Sequence, residues 1–371
     1  MFFIRKRERP PLEIISEELK KKSKSSLSLP VITGNEGVLL EKIRQKTREY
    51  NLNNVTRTRA YLDFYLRYPD IHWAFLGHMV SRNGGWNMTD LKGEFLNRLM
   101  TKKDRQLFFQ FLERGNWLIF QDVYPQFLLY EESLISRKPL FHLFAHLNIS
   151  TFMETIWNQY WSTNDTYILT MALVINEQSY LEKRVVQNPQ HQKDVLSKFE
   201  FLLQDWLSFN HILFPYGNKN LAGQTLHQFE SLHERILLGK RLYKILFKNK
   251  EVHKEVVEWA KIHPHTGSRK DYWPHIFNCV NEGTPGFPYQ LHLKSCKLRP
   301  GAKRIFSPML ENAWKNVSHN EAEKGDWFTD WHVVDYLVED EEISNGEIKD
   351  EYCKTLERLE LAALAKKAIS F

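Results

Sequence analysis

Residues Thr56–Gly93 read TRTRAYLDFYLRYPDIHWAFLGHMVSRNGGWNMTDLKG, and the periodicity of this run decides the fold class. From Val55 to Tyr68 the spacing is helical. Arg59, Asp63 and Arg67 recur one turn apart as a solvated charge ladder. The opposite face collects Arg57, Thr58, Tyr61, Phe64, Tyr65 and Tyr68. Arg57 therefore points to the aromatic side, where a guanidinium needs an anionic or carbonyl partner; as a structural network, Arg57 or Arg82 would pair with Asp90 or Asp70, and His78 with a carbonyl. Pro69-Asp70 stops this helix and starts a second. Between Ile71 and Arg82 apolar residues go all the way round, as in a buried helix, with His78 and Arg82 one turn apart. Asn83-Gly84-Gly85 is expected to end it, a glycine taking the left-handed cap. Trp86 follows, and Asn87 with Asp90 resembles a capping pair for a further helix to Met100.

Outward from this run the same punctuation repeats. A helix is expected over Gly37–Tyr50, with Asn51 to Asn54 breaking it. Thr101 with Asp104 opens a helix ending near Arg114-Gly115-Asn116. Another runs from Trp117 to Leu134, kinked or broken at Pro125. Pro139 starts a short apolar helix, Thr151 with Glu154 caps one to Trp161, and Asp165 starts one closed by Asn188-Pro189. Val195, Phe199, Leu202, Leu203, Trp206 and Phe209 form an amphipathic stripe. Asn218 to Gly223 reads as a loop before a long helix to Lys248, and a further helix spans Lys250 to Ile262. Residues 281–330 are rich in glycine, proline and aromatics and read as irregular chain wrapped over the helices. A final helix covers Lys349–Ala368.

The expected architecture is all-α: an irregular multi-helix globular domain with an aromatic-rich, largely irregular C-terminal wrap. Residues 1–34 read as a basic, flexible tail, 35–336 as the helical domain, and 337–371 as an acidic loop and C-terminal helix. Composition agrees. The 371 residues hold 16 glycines and 14 prolines, few for an all-β chain, and 42% hydrophobic residues, too many for a disordered one. The formal net charge is +6 and the basic residues are dispersed, which describes an ordinary solvated surface. The clusters Arg5–Arg9 and Lys20–Lys24 make the tail the one place for contact with nucleic acid or an anionic membrane. Cys279, Cys296 and Cys353 lack zinc or redox spacing and read as free thiols. Arg5-Lys6-Arg7 follows Met1–Ile4 at once, which is not a signal sequence. No apolar run is long enough to span a bilayer. The expectation is a cytoplasmic protein.

Three groupings could carry chemistry. The first is Arg57, Tyr61, His78, Arg82, Asn83, Gly84, Gly85, Trp86, Asn87 and Asp90, meeting where two helices and a glycine turn converge. Arg82 and the turn's N–H groups suit an anion, and His78 suits acid–base work. The same residues could instead satisfy one another as a structural network. The second is Glu230 with His233, the Glu-x-x-His spacing of di-iron bundles, here without a second copy. The third is His142 with His146, spaced one helical turn apart but without the glutamate of a zinc protease. No metal or cofactor follows from any of them, and no nucleophile elbow or phosphate loop is present.

The run Thr56–Phe95, with GSRKDYWPHIFN at 267–278 and EKGDWFTDWH at 323–332, resembles the YppC-like proteins of Bacillus and relatives. The resemblance covers most of the chain after the tail. It implies a bacterial protein with a domain of unknown function and carries over no catalytic residue. The sequence alone thus supports a helical protein with a binding or structural role, the Thr56–Gly93 polar cluster fixing the fold. The alternative is a small-molecule enzyme, metal-assisted or not, with its pocket at that cluster.

Overall fold

The computed structural model describes residues 10–24, 29–187, 211–217, 219–226, 229–283, 290–338 and 346–369, the side chains of 367–369 excepted. It is predominantly helical but not all-α, because short strands interrupt the helices.

Within the expected tail, α1 (Pro11–Lys22) is an ordered helix with proline in its first turn. Ile15 and Leu19 are fully buried, and the helix packs on α7 (Thr151–Thr163) and a 3-10 turn at Trp331–Leu337. Part of its basic cluster is used internally. Lys20 Nζ sits 3.8 Å from the Trp331 ring centre, and Lys22 lies 3.4 Å from Glu154. The Arg5–Arg9 cluster lies outside the described residues. Next, α2 (Gly34–Tyr50) starts on a capping box in which Thr33 and Glu36 satisfy each other's backbone N–H groups. Asn53 and Thr56 do the same for α3 (Asn54–Arg67).

The decisive difference from the sequence reading is α4, which runs unbroken over His72–Asp90. Asn83-Gly84-Gly85 does not end it, and Asn87 with Asp90 caps nothing. The glycine serves a close approach. A Cβ on Gly85 would lie 2.3 Å from Asn54 Oδ1 and 2.5 Å from His265 Nε2. Only a short α5 (Leu96–Leu99) follows.

Thr101 caps α6 as expected, but α6 continues over Lys102–Ser136, through Gly115 and Pro125. Asn116 folds back on the Leu112 carbonyl at 2.8 Å rather than capping a new helix. Packing on both sides of the junction outweighs local propensity. After a 3-10 turn at Phe141–Leu147, Ser150 rather than Thr151 caps α7. Asp165 caps α8 (Thr166–Leu181), which ends in a π turn at Glu182–Val186. The Val195–Phe209 stripe and Asn188-Pro189 lie outside the described residues.

Of the expected Asn218–Gly223 loop, Asn218 lies outside the described residues and Asn220–Gly223 belong instead to a strand: β1 (His211–Tyr216) pairs with β2 (Asn220–Thr225), in register Phe214 to Ala222. Gly223 lies where a Cβ would be 1.9 Å from the Ile212 carbonyl oxygen. Then come α9 (Leu232–Phe247) and α10 (Lys250–Ile262). The C-terminal wrap holds β3 (Phe277–Asn278), β4 (Leu293–Lys294), β5 (Lys297–Leu298), β6 (Ile305–Phe306) and α11 (Leu310–Ala313). Strands β3 and β6 pair in parallel and β4 with β5 antiparallel. The chain closes on α12 (Lys349–Ile369). Cys296 and Cys353 form a disulfide, which corrects the free-thiol reading; Cys279 stays free.

Two apolar clusters fill the interior. One gathers Phe64, Phe75, Phe127 and Trp157 between α3, α4, α6, α7 and α8. The other gathers Trp86, Phe108, Trp314 and Tyr352 under the wrap. Both α4 and α6 contribute to each.

Candidate functional site

The Thr56–Gly93 residues do not converge on one point. Arg57, inward as its face requires, finds its carboxylate on α6: Nη2 donates to Glu113 Oε2 at 2.5 Å and Nη1 to Asn51 Oδ1 at 3.1 Å. Neither Asp90 nor Asp70 is its partner. His78 is 1% exposed and holds the Thr58 carbonyl oxygen 2.8 Å from Nδ1, so Nδ1 carries the proton. Burial, reinforced by the Arg82 charge, drives its pKa well below the usual histidine value. Burial thus favours its neutral form.

Further along α4 the side chains diverge. Arg82 donates to the His263 carbonyl at 2.6 Å and lies 4.4 Å from the Trp259 ring centre. Asn83 reads the backbone of β1 in both directions, donating to Leu213 O at 3.1 Å and accepting from Leu213 N at 3.0 Å. Asp90 pairs with Arg269 and accepts from Ser307 Oγ at 2.8 Å. The Arg269 guanidinium covers the Trp86 ring at 4.2 Å. Asn87 is buried. Each group joins α4 to a different part of the chain, so the arrangement is a set of ties. With Asn83-Gly84-Gly85 inside α4, there is no glycine turn whose N–H groups could form an anion nest.

The other groupings come apart. Glu230 and His233 are both exposed, and Ser231 between them caps α9, so they share no helical face. His233 bonds to the Tyr336 hydroxyl at 3.0 Å. His142 meets Glu36 and His146 meets the Pro30 carbonyl. Among the described residues, no group of three or more histidine, cysteine, aspartate or glutamate side chains is placed to hold a metal.

A cavity does open beside the cluster. It encloses about 90 Å³ between α3, α4, α6, α8, α9 and β1. Of the expected residues it takes in Arg57 and Tyr61. His78 and Arg82 are not in its wall. Its apolar lining includes Trp73, Leu76 and Val174; its polar lining is Arg57, Ser81, Asn116, Glu177, Gln178 and Arg235. Two glycines shape it. A Cβ on Gly77 would lie 2.7 Å from the Trp73 ring, and one on Gly239 2.5 Å from Val174 Cγ1. Arg235 Nε donates to Gln178 Oε1 at 3.0 Å, and its Nη2 is paired with Glu182. Burial pushes the Glu177 carboxyl up to about 7, against a hydrogen bond from Trp73 and the Arg235 charge. A carboxyl poised there can donate or accept near neutral pH.

Glu177, Gln178 and Arg235 escaped the sequence reading. The first two sit at the end of the Tyr167–Ile175 core run, as polar residues inside a continuous helix, and that was the available signal.

Among the described residues no helix is long and apolar enough to cross a membrane. No solved structure matches the chain. It is 38% identical over 291 residues to the uncharacterized protein YppC of Bacillus subtilis (strain 168), covering 78% of this chain and 83% of that one. The sequence profile of the family described as "Protein of unknown function (DUF2515)" matches residues 49–354. With most of its length inside that match, and in keeping with the motifs at 56–95, 267–278 and 323–332, the chain belongs to the DUF2515 family.

Proposed function

We propose that the protein binds a small, mainly apolar molecule with one hydrogen-bonding head group, held in the cavity beside Arg57. The observation that carries this reading is the joining of an apolar lining to polar groups, among them a Glu177 carboxyl that titrates near 7. At about 90 Å³ the space is well below the roughly 300–1,000 Å³ of drug-sized pockets, which sets the ligand at fragment size. The polar groups of α3 and α4 serve this role by holding the walls in place. The proposed location is the cytoplasm. The Cys296–Cys353 bond weighs against that, since disulfides persist mainly in oxidising compartments, and fractionation of the native host decides it.

Native mass spectrometry of protein purified from its own host tests the binding reading. A stoichiometric small adduct is expected on the unaltered chain, lost in Val80→Phe, which fills the cavity, and weakened in Glu177→Gln. An adduct that survives Val80→Phe, or no adduct on the unaltered chain, overturns it.

A further inference from the structure

A second, larger cavity of about 500 Å³ lies between Lys219 and Leu221 of the β-hairpin, residues Trp273, His275 and Ile276, the β4–β5 turn and the start of α12. Its volume falls within the roughly 300–1,000 Å³ of small-molecule sites. Four lysines border it: Lys219, Lys297, Lys349 and Lys354. Lys219, Lys297 and Lys354 are exposed and Lys349 is half-buried. Among the described residues none of the four forms an ion pair. Two carboxylates share the lining, Asp350 and Glu357. Four ammonium groups against two carboxylates leave a net charge of +2 in a concave space, where field lines are focused. Glu357 is already engaged, its Oε1 accepting the Cys296 N–H at 3.1 Å. Helix α12 begins at this lining, with Asp350 and Glu351 in its first turn.

The backbone of this cleft is unusual on independent grounds. Six non-glycine residues among those described have positive φ. Arg137, Asn148 and Asn164 are helix C-caps, where that conformation is ordinary. The remaining three, Lys219, Ser295 and Cys296, all line this cleft. Ser295 (φ 49°) and Cys296 (φ 59°) are the two central residues of the β4–β5 turn, positions that usually take Asn-Gly. The Cys296–Cys353 disulfide and the Glu357 hydrogen bond tie that turn to α12. Such conformations persist where surrounding structure holds them, and they cluster at ligand sites.

We propose that this cleft binds a small molecule carrying two or more negative charges, as a phosphate ester or a polycarboxylate does. The unpaired lysines supply the charge, and the turn tethered by the Cys296–Cys353 disulfide fixes one wall. His275, whose pKa is lowered by burial and by Lys219, is a neutral hydrogen-bonding group at the rim.

Isothermal titration of the full chain with pyrophosphate and with citrate, at low ionic strength, tests this. The expected result is one saturable site for at least one probe. Affinity should drop by about tenfold or more in Lys297→Gln/Lys349→Gln. It should stay unchanged in Lys102→Gln/Lys103→Gln, a pair on the exposed start of α6. Preference for pyrophosphate names a phosphate ligand, and preference for citrate a carboxylate. A second pair, Lys219→Gln/Lys354→Gln, repeats the test with two exposed residues should the first perturb folding. Absence of saturable binding by both probes, or an equal loss in the Lys102/Lys103 control, overturns the proposal.

Discussion

Arg57 Nη2 lies 2.5 Å from Glu113 Oε2 with both side chains almost sealed from water, at 1% and 3% exposed. The pair ties α3 to α6. Removing one partner strands the other charge, at about 3–5 kcal/mol. Glu113→Gln should lose stability on that scale in chemical denaturation, whereas Arg57→Met/Glu113→Leu should lose less than either single change. The pair also sets an acid limit. Burial raises the Glu113 pKa, but the Arg57 charge and the hydrogen bonds of His319 and Arg57 outweigh that and hold it below the ordinary 4.5. Its contribution is therefore present above pH 4.5 and is lost as pH falls through the lower folded value.

Gly84 and Gly85 should respond oppositely to alanine. Each substitution gains about 1 kcal/mol in helix propensity. At Gly84 the new Cβ meets only Asn116 at 3.6 Å, an ordinary contact, so Gly84→Ala should hold or raise the melting temperature. At Gly85 the methyl would displace the bond between His265 Nε2 and Asn54 Oδ1, 2.7 Å long. Gly85→Ala should lower the melting temperature despite the propensity gain.

Those two glycines also show where the sequence was legible and where it was not. The inward face of Arg57, the Arg59–Asp63 ladder, the caps at Thr101 and Asp165, and the helices at Lys250–Ile262 and Lys349 onward follow from local periodicity and local capping. The continuity of α4 does not, because a Gly-Gly pair permits either a cap or a close approach. Only the packing of Asn54 and His265, 211 residues apart, selects the second. The hairpin was missed because the run from Asn218 to Gly223 reads locally as a loop, and only the pairing of Phe214 with Ala222 shows a strand there. The place of Glu177 at the end of a core run was readable, but its raised pKa was not, because that depends on burial between helices distant in sequence.

Asp122 should shape stability at higher pH. Burial pushes its carboxyl up to about 7, against hydrogen bonds from Asn176 and Gln126. The unfolded chain releases this proton near 3.8 and the folded chain near 7, so between these values the native state binds more protons and stability falls as pH rises. Denaturation midpoints should decline across that window. Asp122→Asn should flatten the decline, as should Glu177→Gln, whose window runs from 4.5 to about 7.

Asn83 should protect β1. Its amide satisfies both backbone groups of Leu213, so Asn83→Ala leaves a buried donor and acceptor unmade at about 1–3 kcal/mol each. Hydrogen exchange at the Leu213 amide should accelerate more than exchange in α7, which Asn83 does not hydrogen-bond.

Helix α6 extends roughly 50 Å at the usual rise per residue. Phe108, Phe109 and Phe111 along it belong to one apolar cluster, and Phe120, Val123 and Phe127 to the other. A single rigid rod therefore threads both interiors, and melting either one strips a face of the element on which the other is built. Calorimetry should record one cooperative transition, and fragments separated within 102–136 should be insoluble apart, since each would carry half of an interior that only the intact rod can close.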